Sequence, residues 1–294
     1  MLAKSFSRQR PTITVALTIK NARHWAANAI ESVLAQTRGD FELIIWDDAS
    51  TDGSFEMAQT FASADRRIRL FRSRRTLGAG GALAAAHQRA RGRYIGYVDH
   101  DDWLAPTALE ETSAVLDSNP KVGLVYTDCY EVRGDSIGLG WRTSVPFSPE
   151  RLLLWFMTFH FRLLRRRTFL RAGGIRSNFP QCADYDLCLR MSELTSVAYL
   201  PRPLYYYRVH EGSVSFRQQT LGRKASARAL RDALRRRGLN RTLRLEISRR
   251  GEFLLKPRAQ GSRIPVLSSW RIPSEKTTNS FVTKLHPATK TVSA

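Results

Sequence analysis

The sequence has little of what several classes of protein require. Only three cysteines occur in 294 residues and none belongs to a CxxC pair, so a disulfide or zinc framework is not expected and a reducing cytoplasm fits best. No apolar run approaches the ~20 residues that span a bilayer. The longest candidate, 152–161, is short and contains Thr158 and His160. The basic N-terminal residues are not followed by an apolar segment, so we expect no signal peptide.

Common catalytic motifs are missing as well. The six histidines form no HExxH pair, and no serine lies in a GxSxG elbow. The segment 77–83 (LGAGGAL) is similar to GxGxxG, but its sixth position is Leu83 and it does not follow a strand end. We therefore reject a dinucleotide fingerprint and predict a flexible loop that lies near phosphate groups.

Acidic residues are scarce in the last quarter of the chain. The whole sequence carries 47 Lys and Arg against 26 Asp and Glu, a net charge of +21. The last 78 residues contain 19 basic and 4 acidic residues, whereas the preceding 216 carry only +6. Composition and charge predict four parts. They are a disordered N-terminal segment (1–10), a globular domain (11–216), a basic helical extension (217–255) and a low-complexity, disordered tail (256–294).

Most of the globular part alternates between strand and helix periodicity. Such alternation predicts an α/β fold with right-handed crossovers and a mostly parallel sheet flanked by helices. The predicted strands are 12–19, 41–46, 67–72, 93–98, 122–126, 159–164 and 205–209, and the predicted helices are 24–36, 54–62, 77–91, 107–116, 184–193 and 221–237.

Three predicted strands end in polar or acidic residues, at 18–21, 47–48 and 99–102. Ligands of open α/β sheets lie beyond the carboxyl ends of the strands, so these ends should meet in one crevice. The Asp99-His100-Asp101-Asp102 run places three carboxylates in four residues, and their repulsion is relieved by a cation. Oxygen ligands of this kind suit Mg²⁺ or Mn²⁺ that shares its shell with substrate phosphates. A solvated turn with a helix cap is the alternative.

Three further candidates are ambiguous by themselves. Asp48 could accept hydrogen bonds from a nucleotide's ribose or base, or its segment could simply cap the next helix. Asp184 opens a predicted helix, where it could be a general base or only a residue that the helix dipole favours. His210 ends the globular part and could fold back over the site, although a lone histidine is more often structural.

The order and spacing of these segments resemble the family 2 inverting glycosyltransferases, which have the GT-A fold. The resemblance covers about residues 11–216 and is specific because all segments occur in order. They are TITVALTIKN, SVLAQT, FELIIWDDASTDGS, GRYIGYVDHDDWLAP, ADYDLCLR and YYRVHEGSVS.

This resemblance implies transfer of a sugar, with inversion, from a nucleotide diphosphate sugar to an acceptor hydroxyl. Asp48 would contact the base, with Thr18 and Asn21 nearby. Asp99 and Asp101 match the family's DxD motif, in which Asp101 would be the direct ligand of Mn²⁺ or Mg²⁺ on the diphosphate.

The same resemblance implies that Asp184 is the catalytic base and that His210 approaches the metal or the diphosphate. Four positions depart from the family pattern: Leu83-Ala84 replaces Arg-Asn, Ala183 replaces Glu, and Lys20 replaces Tyr. Residues 221–255 also resemble the linker of tandem two-domain members, which predicts a shortened C-terminal end.

Two alternatives to an active transferase remain open at this stage. One is a catalytically impaired protein with the same fold, and the other is a basic protein that binds nucleic acid or an anionic membrane. The basic end has only three aromatic residues, which argues against nucleic acid. We expect a cytoplasmic enzyme whose basic end associates with the inner membrane face, where a glycan or lipid-linked acceptor for surface polysaccharide or glycoconjugate synthesis is presented. The alternative is that the basic end is only a solvated remnant of a tandem linker.

Overall fold

The computed structural model describes residues 10–140, 145–179, 181–213, 219–248 and 252–258. The helices are α1 (Ala26–Leu34), α2 (Ser54–Ala64), α3 (Gly78–Gln88), α4 (Ala108–Ser118), α5 (Arg166–Arg171), α6 (Ala183–Ser192) and α7 (Gln219–Arg236). The strands are β1 (Ile13–Ile19), β2 (Phe41–Asp47), β3 (Ile68–Arg72), β4 (Tyr94–Asp99), β5 (Trp103–Leu104), β6 (Val122–Arg133), β7 (Ser136–Leu139), β8 (Arg162–Arg165), β9 (Ser196–Arg208), β10 (Leu243–Ile247) and β11 (Phe253–Pro257).

Nine of the described strands form one sheet in the order β3-β2-β1-β4-β8-β6-β9-β5, with β7 paired to β6. Strands β3, β2, β1 and β4 are parallel neighbours, and β8 runs antiparallel to both β4 and β6. Since β8 is antiparallel to both β4 and β6, strand β6 runs parallel to β4, and β9 runs parallel to β6. Six of the nine strands therefore point the same way: β1, β2, β3, β4, β6 and β9. The predicted α/β fold with a mostly parallel sheet and flanking helices is confirmed.

Alternation along β1 shows how the sequence builds the layers. Ile13, Val15, Leu17 and Ile19 point to one side of the sheet, where they are fully buried with residues of α1, α2 and α4. On the other side, Ala16 and Ile44 pack near α3. A second large cluster joins β6 and β8 to α5, α6 and α7.

Two predictions need correction, one about segment 77–83 and one about the basic extension. Segment 77–83 is not a flexible loop, because α3 begins at Gly78. A Cβ on Gly80 would lie 2.5 Å from the carbonyl oxygen of Phe179, so the glycine permits close packing of α3 rather than contact with phosphate.

The basic extension is also only partly helical. Helix α7 ends before Gly238, whose φ of 68° suits glycine, and the following residues form the antiparallel β10–β11 hairpin. Leu243, Leu245 and Ile247 alternate with charged residues there, which is a strand pattern that the net charge obscures. Segments 1–9, 214–218 and 259–294 lie outside the described residues.

Helix α7 belongs to the body of the fold. Its Ala229, Leu230, Ala233 and Leu234 are between 0% and 3% exposed within the second cluster. Its basic side chains therefore occupy only the remaining helix surface. Among the described residues, no helix has both the length and the apolar character needed to cross a bilayer.

Buried His87 should make stability depend on pH. His87 lies in α3 near the rings of Tyr97 and Phe169 and is 4% exposed, and desolvation lowers its pKa to about 4 from 6.5. Between pH 6.5 and about pH 4, His87 is protonated in the unfolded chain but neutral in the folded chain. The free energy of unfolding therefore decreases as the pH falls through this range. The difference between pH 7 and pH 5 amounts to about 2 kcal/mol.

Urea denaturation of His87→Leu at pH 7 and pH 5 checks this expectation. The loss of unfolding free energy on acidification should be about 2 kcal/mol smaller than in the wild type. His24→Gln, at an exposed position, is the control and should keep the wild-type dependence. If the free energy of unfolding changed with pH in the same way in the wild type and in His87→Leu, His87 would not be the source of the pH dependence.

Candidate active site

Strand register brings three polar strand ends together. Thr18 lies opposite Trp46 of β2 on one side and opposite Asp99 of β4 on the other. Because the three strands are parallel, the loops that follow them emerge at the same edge of the sheet. The strand ends at 18–21, 47–48 and 99–102, which were predicted to form one crevice, therefore lie along the same edge of the sheet.

The loops after β1 and β2 are tied to each other and to the start of α3. The Asn21 backbone N–H donates to Ser50 Oγ at 3.0 Å, and Asn21 Oδ1 accepts from the Thr51 N–H at 2.9 Å. Lys20 Nζ donates to the carbonyl of Ala49 at 2.7 Å and to Thr76 Oγ1 at 2.8 Å. Lys20, where the family has Tyr, thus holds this end of the crevice together.

Both carboxylate oxygens of Asp48 accept hydrogen bonds from the backbone. Its two carboxylate oxygens accept the N–H groups of Leu77 at 2.7 Å and Gly78 at 2.9 Å, and the residue is 3% exposed. The carboxylate therefore fixes the first turn of α3, where the helix dipole favours a negative charge. Contact with a nucleotide base would require these bonds to be shared or exchanged.

Asp99 is the more open carboxylate of the DxD pair. Its side chain is 44% exposed, and Oδ2 lies 3.4 Å from His160 Nε2. Its backbone N–H donates to Tyr205 Oη at 3.1 Å. Desolvation in the crevice, together with the nearby charges of Asp101 and Asp184, raises the pKa of Asp99 to about 7.

His210 folds back onto the DxD turn. His210 Nε2 lies 2.9 Å from Asp101 Oδ2, although 109 residues separate the two in sequence. The buried Asp102 fixes the strand that leads to His210. It accepts the Tyr205 hydroxyl at 2.8 Å and the Arg208 backbone N–H at 2.7 Å.

Arg208 adds a second connection between β9 and the turn. Its guanidinium lies over the rings of Trp25 (4.4 Å) and Trp103 (4.7 Å), and its Nε donates to the Asp101 carbonyl at 3.0 Å. Cation–π contacts of this kind stabilise by about 0.5–2 kcal/mol each. Arg208 therefore orients the chain that delivers His210.

Asp184 lies across the crevice and is paired with a buried arginine. Asp184 Oδ2 accepts from Arg162 Nη2 at 2.9 Å and from the Tyr97 hydroxyl at 3.2 Å, while Oδ1 accepts the Tyr185 N–H at 2.8 Å. Arg162 also donates to Tyr97 Oη and, at 2.8 Å, to the carbonyl of Thr158. The Arg162 side chain is 2% exposed, whereas that of Asp184 is 25% exposed, so only the carboxylate is accessible.

Asp186, the alternative base two residues further on, does not face the crevice. Its side chain is fully buried and pairs with Arg190 at 2.7 Å and Arg176 at 3.4 Å. Ala183, where the family has Glu, lies 3.6 Å from the position that a Cβ would take on Gly80. Two small residues thus allow the starts of α3 and α6 to approach closely.

Asp99 and Asp101 fit a cation that is shared with a diphosphate. Among the described residues, no group of three His, Cys, Asp or Glu side chains could hold a metal ion alone. Mg²⁺ and similar ions are commonly held by one or two carboxylates plus substrate phosphates, so two carboxylates with His210 at their side are sufficient. Desolvation raises the pKa of Asp99, with a further contribution from the charges of Asp101 and Asp184, and a bound cation would favour the ionised form.

Sequence reasoning missed four residues of the site: His160, Arg162, Tyr205 and Arg208. The only local signal was the polar pair in F-H-F-R-L-L, within an otherwise apolar segment. Arg162 lies three residues before the basic run 165–167, and nothing in the local sequence shows that it is buried whereas Arg167 is exposed. Only the pairing of β8 with β4 shows that Arg162 is buried beside Tyr97.

A comparison with family models identifies the chain. Residues 14–183 match the model described as glycosyl transferase family 2, which covers more than half of the sequence. The chain belongs to this family, and the predicted resemblance is confirmed.

Similar proteins support the same class. The chain is 30% identical over 242 residues to the O-antigen biosynthesis protein RfbC of Myxococcus xanthus, covering 78% of this chain and 18% of that protein. It spans between 18% and 34% of the length of the first curated relatives that it matches.

Two solved structures have the same fold. S. aureus TarS 1–349 in complex with UDP-GlcNAc aligns with a TM-score of 0.64 and 14% identity over 76% of this chain and 66% of that chain. The mannosyltransferase PcManGT from Pyrobaculum calidifontis in complex with GDP-Man and Mn²⁺ aligns with a TM-score of 0.56 and 20% identity over 78% and 65%. At these identities the likeness establishes the fold only.

The Tyr205 hydroxyl should contribute measurably to stability. It accepts the Asp99 N–H and donates to buried Asp102, so Tyr205→Phe leaves two groups without this partner. We expect a loss of about 1–3 kcal/mol in the free energy of unfolding, measured by urea denaturation.

The neighbouring Tyr206 provides the matched control. It stacks on Trp103 and Tyr130, and among the described residues its hydroxyl makes no hydrogen bond. Tyr206→Phe should therefore cost about 0.5 kcal/mol or less. Equal losses for the two variants would show that the Tyr205 hydroxyl does not hold the turn.

Proposed function

We propose that the chain is a metal-dependent, inverting glycosyltransferase that moves a sugar from a nucleotide diphosphate sugar to an acceptor hydroxyl. The observation that carries the proposal is the partly exposed Asp184 carboxylate, held by Arg162 on the same crevice as Asp99 and Asp101. A carboxylate that can accept a proton, close to carboxylates that can hold a cation, supports displacement of a charged leaving group. Family membership supports the same reaction class.

Asp184 acts as the general base. The acceptor oxygen attacks the anomeric carbon while its proton passes to Asp184, and the bond from that carbon to the diphosphate oxygen breaks. Oδ2 of Asp184 already accepts from Arg162 and Tyr97, whereas Oδ1 accepts only the Tyr185 N–H and so keeps a lone pair for this proton. One displacement inverts the anomeric centre and needs no covalent intermediate.

Asp99, Asp101 and His210 are the residues that would hold Mn²⁺ or Mg²⁺. When bound, such an ion supplies Lewis-acid neutralisation of the charge on the departing diphosphate. His160 lies beside the Asp99 carboxylate, and Arg208 holds the backbone carbonyl of Asp101. Mn²⁺ accompanies GDP-Man in PcManGT, which supports a divalent cation in this chain too.

The donor is a nucleotide diphosphate sugar, as the UDP-GlcNAc complex of TarS and the GDP-Man complex of PcManGT suggest by analogy of fold. Asn21, Thr18 and Asp48 form the nucleotide end of the crevice. The acceptor is a glycan or a lipid-linked glycan in surface polysaccharide or glycoconjugate synthesis, as the O-antigen relative suggests.

The division into domains and the place of action are part of the proposal. The transferase domain spans residues 11–216, and the basic C-terminal residues follow it. The enzyme works in the cytoplasm at the inner membrane face, where basic residues are attracted to anionic lipids. Since α7 is packed into the fold, the helix contributes only its exposed basic side chains to this association.

Removing Asp101 should abolish metal-dependent nucleotide binding. Asp101→Ala deletes the carboxylate that faces His210 while leaving Asp102 and its buried bonds intact. Thermal shift with UDP or GDP, with and without MnCl₂, should show a Mn²⁺-dependent rise in melting temperature for the wild type only.

Asp135→Ala is the control because Asp135 is an exposed carboxylate in the β6–β7 turn. It should respond to nucleotide and MnCl₂ as the wild type does. An unchanged Mn²⁺-dependent shift in Asp101→Ala would remove this residue from the metal site.

Replacing the base should slow transfer without loss of donor binding. Asp184→Asn keeps the shape of the side chain but cannot take the proton, so we expect a decrease of about 10²–10⁴-fold in transfer. Nucleotide release with a panel of donors and acceptors measures transfer, and the Mn²⁺-dependent thermal shift measures donor binding.

Asp186→Asn is the informative comparison, because it breaks a buried ion pair and should lower the melting temperature while the folded fraction retains transfer. Normal transfer by Asp184→Asn would disprove the base assignment. Donor binding without transfer in the wild type, across the panel, would favour a catalytically impaired protein.

A further inference from the structure

A basic groove lies at the end of the sheet opposite the candidate active site. The groove has a volume of about 830 Å³, and seven arginines line it together with Thr12, Gly92 and Pro120. Thr12 and Gly92 immediately precede β1 and β4, whereas the site residues follow those strands. A strand of seven residues is about 20 Å long, so a ligand in the groove does not touch the crevice.

The arginines of the groove divide into two groups. Arg38 and Arg93 pair with Asp117, and Arg165 donates to backbone carbonyls of Leu116 and Val122. The side chains of these three arginines are therefore bound to other groups of the protein. The other four make no side-chain hydrogen bond or ion pair within the described part of the chain: Arg10, Arg91, Arg166 and Arg167.

The groove therefore concentrates positive charge that the protein itself does not neutralise. Proteins keep most charged groups apart on their surfaces, and several unpaired guanidinium groups at one concave site repel each other. Arginine presents a planar fork of donors that matches phosphate and carboxylate oxygens. An anionic ligand with more than one charged oxygen is the natural counterpart.

An exposed leucine on helix α5 distinguishes between a lipid surface and a soluble polyanion as the anionic ligand. Arg167, Leu170 and Arg171 have i, i+3 and i+4 spacing, lie on one helix face and are exposed. Leu170 lines the groove and is 55% exposed. A soluble polyanion gains nothing from an exposed leucine, whereas a lipid surface takes up the leucine while the flanking arginines reach the headgroups.

We propose that this groove and the exposed face of α5 dock the protein on a membrane through the headgroup phosphates of anionic phospholipids. Basic pockets beside apolar side chains are known to hold such headgroups. The inference builds on the membrane association in the proposed function and assigns it to the folded body. It requires nothing of the transfer chemistry, because the groove is at the other end of the sheet.

The test uses the full chain and two adjacent arginine pairs. Arg166→Gln/Arg167→Gln removes two charges from the groove, and Arg74→Gln/Arg75→Gln removes two exposed charges that follow β3 at the opposite end of the sheet. Vesicle co-sedimentation is measured with mixed phosphatidylcholine–phosphatidylglycerol vesicles and with pure phosphatidylcholine vesicles.

We expect the wild type to bind the anionic vesicles and not the neutral ones. The groove pair should lower the partition coefficient about 30-fold, since each arginine near an anionic surface contributes about a factor of five, and the control pair should lower it much less. Leu170→Ser should reduce vesicle binding several-fold without changing binding of sodium polyphosphate.

Three results would overturn the proposal. Equal loss of binding in the two arginine pairs would assign membrane association to net charge. Loss of polyphosphate binding but not vesicle binding in the groove pair would indicate a soluble polyanion. Absence of wild-type binding to the anionic vesicles would exclude docking. Mn²⁺-dependent nucleotide binding, measured in parallel, tests the proposed transferase function separately.

Discussion

The parallel pairing of β1 with β2 and β4 is the constraint on which the site depends. Parallel strands need crossovers, so each strand end on one edge continues into a loop at that edge. The register places Thr18 next to Asp99 and brings the loop of Asn21 against that of Ser50. A shift of one residue in β1 would turn its buried apolar side chains to the other face and separate these loops.

Buried polar contacts then turn this edge into a defined site. Asp102 binds Tyr205 and the Arg208 backbone, while Arg162 holds Asp184 and Tyr97. A buried polar group that loses its hydrogen-bond partner costs about 1–3 kcal/mol, so both networks stabilise this arrangement. Their common effect is to join β9 and α6 to β4, which are far apart along the chain.

The two ends of the sheet differ in electrostatic character. The carboxyl ends of the strands carry Asp48, Asp99 and Asp101, and the opposite end carries the arginine groove. Acidic residues suit a cation and a diphosphate donor at one end, whereas unpaired guanidinium groups suit anionic headgroups at the other.

Much of the fold could be predicted from local sequence, because strand and helix periodicities differ and polar residues follow apolar strands. The segments around Asp48, Asp99 and Asp101 were found in this way, the roles of Asp184 and His210 came only from the family resemblance, and the order of segments identified the family. What the sequence could not predict was which charges are buried. Arg162 and Asp186 read like exposed residues along the chain, yet both are enclosed by distant elements. A helix was predicted over 77–91, but its glycine-rich start was interpreted as a flexible loop, because the role of Gly80 depends on the carbonyl of Phe179, which approaches it only in the folded chain. The sequence by itself thus determined the elements, the family and the candidate carboxylates. Tertiary structure alone decided which partners hold those carboxylates and where unpaired charge accumulates, because both depend on contacts between residues remote in sequence.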